Sequence, residues 1–277
     1  MTATKMPTLL ALAAVAVVTF FSVVVGALAL LDEVSQDERV TTRQLGDVRS
    51  IDLTSDEGDV ELRTLPAGRP ATLQVVEEHG LFGGPDVNVR DEGGRIQADS
   101  DCTAFVFGNS CSTRWILSVP RGTPVKVRTG SGDVELDGTV GTTDIRTGSG
   151  DVDVRGAEGS SMKVDTGSGD ITAAGVRVRD LDLRTGSGDV ELPGLTAATV
   201  RLDASSGDID VRAAAPLTSL TAETGSGDIA LRVPGGPYAV STRTGSGDED
   251  VRVPTDPLAA RTLRLKTGSG DVEVTGR

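Results

Sequence analysis

Thr129-Gly-Ser-Gly-Asp-Val-Glu-Leu136 is the stretch that decides the fold. Its central Gly-Asp returns at Asp151, Asp170, Asp189, Asp208, Asp228, Asp248 and Asp271. From Asp133 onward the spacings are 18, 19, 19, 19, 20, 20 and 23 residues. A degenerate copy stands upstream at Gly58-Asp59-Val60-Glu61-Leu62. A period this constant is the signature of a repeat architecture. After each aspartate an alternation follows: Val134/Leu136, Val152/Val154, Val190/Leu192, Ile209/Val211, Ile229/Leu231 and Val272/Val274. A second alternation precedes the Gly-Ser-Gly: Val125/Val127, Met162/Val164, Leu181/Leu183, Val200/Leu202 and Leu263/Leu265. Period two marks half-buried strands.

Each unit therefore reads as two short strands and two turns. Such coils stack in parallel, about 4.8 Å apart, each strand hydrogen-bonded to the coils on either side. The predicted fold class is all-β: a parallel β-helix or β-solenoid of about 19-residue coils with a β-rich N-terminal cap, preceded by one transmembrane helix. Apolar residues should form continuous inner rows. Thr129, Thr147, Thr166, Thr185, Thr224, Thr244 and Thr267 should form a ladder at the corner. Insertions fall at Pro234-Gly-Gly-Pro237 and Pro254-Thr-Asp-Pro257. Glu249 breaks the pattern, holding an inward position that is Val or Ile elsewhere; it marks either a local bulge or a weak coil. The last repeat shows no obvious C-terminal cap, so its coil is the expected edge for self-association.

Composition agrees with thin coils. The chain has 277 residues, 35 of them Gly, and 3% aromatics. Few bulky side chains are needed when aliphatic rows fill the space between closely spaced sheets. A net charge of −14 speaks against a nucleic-acid partner, because phosphate binding needs clustered Lys and Arg.

The N-terminus sets the compartment. Residues 8–31 carry no charge, and as a helix they would span roughly 36 Å, enough for a hydrocarbon core of about 30 Å. Lys5 precedes the run, and Asp32, Glu33, Asp37 and Glu38 follow it, which places the C-terminal domain outside. A cleaved signal peptide is the rival reading, with Ala27-Leu28-Ala29 as the cleavage site; the length of the run favours a signal-anchor. Both readings export the domain. The divisions are a cytoplasmic tail at 1–7, the anchor at 8–31, a linker at 32–46, the β-rich cap at 47–120 and the solenoid at 121–277. Cys102 and Cys111, with eight residues between them, suit a disulfide in an exported chain; two free buried thiols are the alternative.

The Gly-Ser-Gly-Asp turn has a structural reading and a functional one. Glycine permits positive φ at the corner, and Ser and Asp accept hydrogen bonds from turn N–H groups. The functional alternative is calcium. Asp133, Asp151, Asp170, Asp189, Asp208, Asp228, Asp248 and Asp271 would stack about 5 Å apart, and unpaired carboxylates at that spacing invite a hard cation. No other cofactor is implied. The acidic row Glu135, Asp153, Glu191, Asp210, Asp250 and Glu273 lies beyond the turn, with Arg155, Arg212, Arg232 and Arg252 two positions further on. This reads as a solvated face with weak ion pairs or as an extended binding face. Gly130-Ser-Gly132 lacks the phosphate-loop pattern, and the repeated serines have no histidine base. An enzyme is not expected.

Leu117-Ser-Val-Pro-Arg-Gly-Thr-Pro-Val-Lys-Val-Arg-Thr-Gly-Ser-Gly-Asp-Val-Glu-Leu136 and the serial units after it resemble the bacterial domain-of-unknown-function family labelled "putative adhesin". The resemblance covers about residues 47–277. It implies a β-helical repeat domain behind a membrane anchor and carries over no functional residue. The expected function is that of a membrane-anchored, single-pass cell-surface solenoid, an adhesin-like interaction or scaffold protein meeting an envelope polymer or a surface protein. The alternatives are a self-assembling structural or calcium-binding envelope protein and an envelope-glycan-degrading enzyme.

Overall fold

The computed structural model describes residues 37–66, 68–79, 84–102, 111–138 and 141–276. The apolar run 8–31 and its reading as an anchor lie outside these residues. Among the described residues no helix is long and apolar enough to cross a membrane.

The described residues form two facing sheets of 12 and 11 strands. β1 (Asp37–Gln44) occupies most of the stretch that the sequence suggested as linker. β2 (Ser50–Glu57) and β3 (Val60–Leu65) make the first coil. β4 (Thr72–His79) and β5 (Asp86–Glu92) are antiparallel strands of the cap. β6 (Arg95–Asp101) and β7 (Cys111–Pro120) form a second coil, parallel to the first. The region expected to be only a cap thus holds two true coils, closed off by β4 and β1 on one sheet and β5 on the other.

The regular repeats follow. They are β8 (Val125–Ser131) with β9 (Val134–Asp137), β10 (Thr143–Ser149) with β11 (Val152–Arg155), and β12 (Glu158–Ser168) with β13 (Ile171–Ala174). Next come β14 (Arg177–Ser187) with β15 (Val190–Leu195), β16 (Thr199–Ser206) with β17 (Ile209–Ala213), and β18 (Ser219–Ser226) with β19 (Ile229–Val233). The last two coils are β20 (Ala239–Thr244) with β21 (Glu249–Arg252) and β22 (Thr262–Ser269) with β23 (Val272–Gly276). Ten stacked coils at about 4.8 Å give a rod of roughly 43 Å.

Register turns the alternation into a core. Val134 stacks on Val152, Val152 on Ile171, Ile171 on Val190, Val190 on Ile209 and Ile209 on Ile229. Every member of this file is at most 2% exposed. Each such side chain contributes roughly 1.5–3 kcal/mol by leaving water. A one-residue slip would move the whole file to the solvent face, so the pattern itself fixes the register.

The two ends depart from sequence order. At the N-terminal end the first coil lies between β6/β7 on its outer side and β8/β9 on its inner side. At the other end the sheet orders are β18-β22-β20 and β19-β23-β21. The last coil in sequence is therefore not the last in space. It lies between β18/β19 and β20/β21, and the edge of the rod is formed by β20 and β21. This corrects the expectation that the C-terminal repeat is the exposed edge. The two proline-bounded insertions are the connections that make the skip: 234–238 carries the chain past the gap and 253–261 brings it back. Tyr238 pins the outward step, fully buried, its hydroxyl donating to Pro234 O at 2.7 Å and its ring beneath the Arg261 guanidinium. Burial pushes its phenol above the ordinary value.

Apolar content explains the order. The last coil turns Leu263, Leu265, Val272 and Val274 inward, all at most 2% exposed. The outer coil offers Val240, Thr242, Glu249 and Val251 at the corresponding positions. The greasier coil takes the slot with neighbours on both sides. Glu249 then needs no bulge. It stands exposed at the rod's end, its carboxylate accepting the hydroxyl of Thr242 and the N–H of Thr244 (3.1 Å).

Hydrogen exchange should show this order directly. Amides of β22 and β23 are expected to exchange more slowly than those of β20 and β21, although they lie nearer the C-terminus. Leu265→Ala should cost about 2–5 kcal/mol, and Val251→Ala, at the half-exposed end, roughly 1 kcal/mol or less.

Candidate functional site

The recurring feature of the rod is its Gly-Ser-Gly-Asp corner. The second glycine of each turn has positive φ, 140° at Gly150 and 145° at Gly169. A Cβ on Gly169 would lie 2.1 Å from the carbonyl oxygen of Gly150 in the coil beneath. Neither the dihedral nor the approach tolerates a side chain. The same carbonyl row takes the threonine ladder. The hydroxyls of Thr147, Thr166, Thr185, Thr224 and Thr267 donate to Gly132, Gly150, Gly169, Gly207 and Gly227 at 2.9–3.3 Å. Thr129 and Thr244 do the same toward Gly58 and Gly270. All but Thr244 are buried. Ala204 replaces the ladder threonine in one coil.

A second ladder runs outside the first. The N–H of Asp151 donates to Oδ1 of Asp133 at 2.8 Å, and the pattern repeats from Asp170 to Asp151, Asp189 to Asp170, Asp208 to Asp189 and Asp228 to Asp208. It then follows space rather than sequence, from Asp271 to Asp228 and from Asp248 to Asp271. Asp59 receives the N–H of Asp133 at the N-terminal end. The calcium reading began from unpaired carboxylates. Here seven of its eight aspartates use one oxygen to hold the next coil's backbone. Among the described residues no group of three or more His, Cys, Asp or Glu side chains is set to hold a metal ion.

Two charged faces flank the corner. On the 12-stranded sheet the acidic row runs beside the arginines. Arg212 meets Asp210 at 2.6 Å, and Arg155 and Arg252 meet Glu135 and Asp250. On the 11-stranded sheet the stacked file reads Asp52, Lys126, Asp144, Lys163, Asp182, Arg201, changing sign at every coil. Directly opposed unlike charges favour this register and like charges would oppose it. The alternation is invisible along any one strand and emerges only when the repeats are stacked in register.

Other features converge less. Cys102 and Cys111 are joined by a disulfide, their Cα atoms 5.9 Å apart. A cleft of about 470 Å³ at the N-terminal end has Leu73, Val75, Val87 and Val89 on its walls, with Arg43 donating to Val89 O. A hollow of about 480 Å³ beside Val240, Val251 and Pro257 marks the other end. His79, the one histidine, pairs with Glu77 at 3.2 Å.

A family model described as Toastrack DUF4097 matches residues 48–275. A crystal structure of a "putative adhesin" from Parabacteroides distasonis superposes with a TM-score of 0.58 at 11% identity, covering 86% of this chain and 98% of that one. A "putative lipid binding protein" from the same species gives 0.56 at 16% identity, covering 86% and 96%. A "putative adhesin" from Bacteroides fragilis gives 0.50 at 16% identity, covering 87% and 98%. At these identities the likeness is one of fold. No curated protein matches the chain.

Two variants test the ladders. Ala204→Thr restores a hydroxyl beneath which Gly188 O stands ready, and should raise stability by about 1 kcal/mol in chemical denaturation. Asp170→Asn keeps the acceptor and removes one charge, so its midpoint should equal or exceed that of the parent. Asp170→Ala leaves the Asp189 N–H without its acceptor and should cost about 1 kcal/mol. A melting temperature that rises in millimolar calcium, and loses that rise in the Asn variant, would instead make the row a metal site.

Proposed function

We propose that this chain, which belongs to the Toastrack DUF4097 family, is a membrane-anchored cell-surface solenoid that works as an adhesin-like interaction protein. The observation that carries the reading is the periodic charge on its long faces. The file Asp52-Lys126-Asp144-Lys163-Asp182-Arg201 repeats at the coil spacing and presents no single privileged position. A surface of this kind suits a partner that is itself extended and charged, an envelope polymer or a repetitive surface protein. Long-range complementarity would give encounter and register more than strength per contact.

The structural neighbours described as adhesins share the fold and support the same reading. The apolar run 8–31 supplies a single-pass anchor with the C-terminal domain outside. The reading assigns no catalysis: the carboxylates recur along the rod without the local exception that an acid–base pair requires.

Binding of the full chain, held in zwitterionic nanodiscs, to isolated envelope material is the direct test. Binding should fall steeply as salt rises, because exposed charges are screened beyond about 8–10 Å at physiological ionic strength. Replacing Lys126, Lys163 and Arg201 with Gln, which removes the positive charges without stacking like charges, should weaken it by about tenfold while leaving the far-ultraviolet circular dichroism unchanged. Absence of binding to envelope material and to whole cells at every salt concentration would remove the reading.

A further inference from the structure

The inverted order of the last two coils leaves the rod with a slot. On one side lie β18 and β19, on the other β20 and β21, and the chain's own residues 262–276 fill the gap. We propose that this slot also accepts the same segment from a second copy, so that two rods exchange their last coils and join tail to tail.

Complementarity is already demonstrated by the occupant. A second copy's last coil would place Leu263 and Leu265 on Leu220 and Ala222, and Val272 and Val274 on Ile229 and Leu231, the stacking seen within one chain. It would extend the aspartate ladder through the same pair of bonds, Asp271 to Asp228 and Asp248 to Asp271. Exchanged and unexchanged forms therefore differ chiefly in the hinge, the condition under which swapping is a low-cost route to a dimer.

The hinge and the lid have the required properties. The connection at 253–261 spans nine residues with Pro254 and Pro257 and leaves Leu258 92% exposed. Its ties to the rest of the chain gather around one residue. Tyr238 donates its N–H to Pro254 O, accepts from the Asp256 N–H and lies beneath the Arg261 guanidinium, and these are the contacts that opening breaks. The outer coil is the weakest of the stack, with Glu249 exposed and Val240 and Val251 only half-buried. Local opening begins in segments with little buried apolar surface, so the slot lies beneath the part of the rod that opens most readily. Reciprocal exchange closes the arrangement at two chains, with each slot filled by the other's coil.

The position of the slot gives the exchange a meaning, and here the inference rests on the surface reading above. The anchor precedes β1 at one end, and β20 and β21 lie at the other, roughly 43 Å away along the stack. The slot is then at the tip farthest from the membrane. Tail-to-tail exchange would link rods on two facing surfaces, which names a partner: a second copy of this chain.

Paired cysteines report the exchange. Thr221 and Arg264 are stacked partners on the outer face of the slot, at a spacing that suits a disulfide. Full chains carrying Thr221→Cys and full chains carrying Arg264→Cys are placed in separate vesicle populations, mixed and oxidised. Asp144→Cys and Lys163→Cys, stacked partners in mid-rod, serve as the collision control. The tip pair is expected to give an interchain disulfide at least tenfold above the mid-rod pair and to cluster the vesicles. Deleting residues 256–258, which shortens the hinge and hinders return to the chain's own slot, should raise the yield further. Crosslinking of chains refolded together from denaturant, without clustering of vesicles, would support the exchange and withdraw its role between facing surfaces. A tip pair that stays at the mid-rod level in both settings would overturn the proposal, and would leave binding to envelope material untouched.

Discussion

The structure depends on how closely one turn can approach the next. At Gly169 the stacked carbonyl oxygen of Gly150 occupies the place of a Cβ, at 2.1 Å. That approach is what allows the Thr166 hydroxyl to reach Gly150 O, and the Asp170 N–H to reach the carboxylate of Asp151. The glycine thus does more than permit a turn. It sets the coil spacing at the corner, and the spacing determines which side chains meet. With the corner fixed, the strands on both sides fall into register, and the inner files of Val, Ile and Leu become continuous. The aliphatic rows supply most of the burial. The corner completes the register: the alternation excludes a slip of one residue, but a slip of two keeps the same face buried, and only the corner tells those apart.

The corner was legible in sequence because its constraint is local and repeated. The Gly-Asp period and the alternations around it predicted the coils, their parallel stacking and the inner rows residue by residue. The order of the coils was not legible in the same way. A period is indifferent to whether successive units are neighbours in space, and reading it assumes that they are. Two signals spoke against that assumption. One was Glu249, polar at an inward position. The other was the pair of proline-bounded insertions on either side of the same unit. Each is weak alone; together they describe a coil that is poor in apolar surface and connected by loops long enough to go elsewhere. The alternating charge file was hidden for a related reason. Lys126 and Asp144 become neighbours only after register is assigned, and each looks like an ordinary solvated residue along its own strand.

The turn aspartates were visible as a row, and their spacing raised the calcium reading. The backbone donors that answer their charge were invisible, since an N–H belongs to every residue and leaves no mark in the sequence. A carboxylate row held by amide hydrogens is partly compensated from within. The second oxygens of the turn aspartates and the charged files on either face remain turned toward solvent. These features repeat from coil to coil without a privileged position, and the proposed binding by repetition starts from that uniformity.

Both ends of the stack solve one problem alike. An exposed strand edge invites pairing with any other chain, and a solenoid made of identical coils would end in two such edges. Here the first coil in sequence and the last are each tucked one place inward, and the ends are built from other segments. At the N-terminal end, antiparallel β1, β4 and β5 take over from the coils. At the C-terminal end a coil with Thr242, Thr244 and Glu249 at or near its inward row closes the core. A polar coil covers an apolar end poorly if it is merely next in line, because its own packing is weak. Held by the connections at 234–238 and 253–261, with the greasier coil beneath it, it is kept in place by the chain on both sides. The arrangement places a weak lid over a strong plug. For that reason the end of the rod is protected against indiscriminate pairing while remaining the region where a segment identical to the plug can be exchanged.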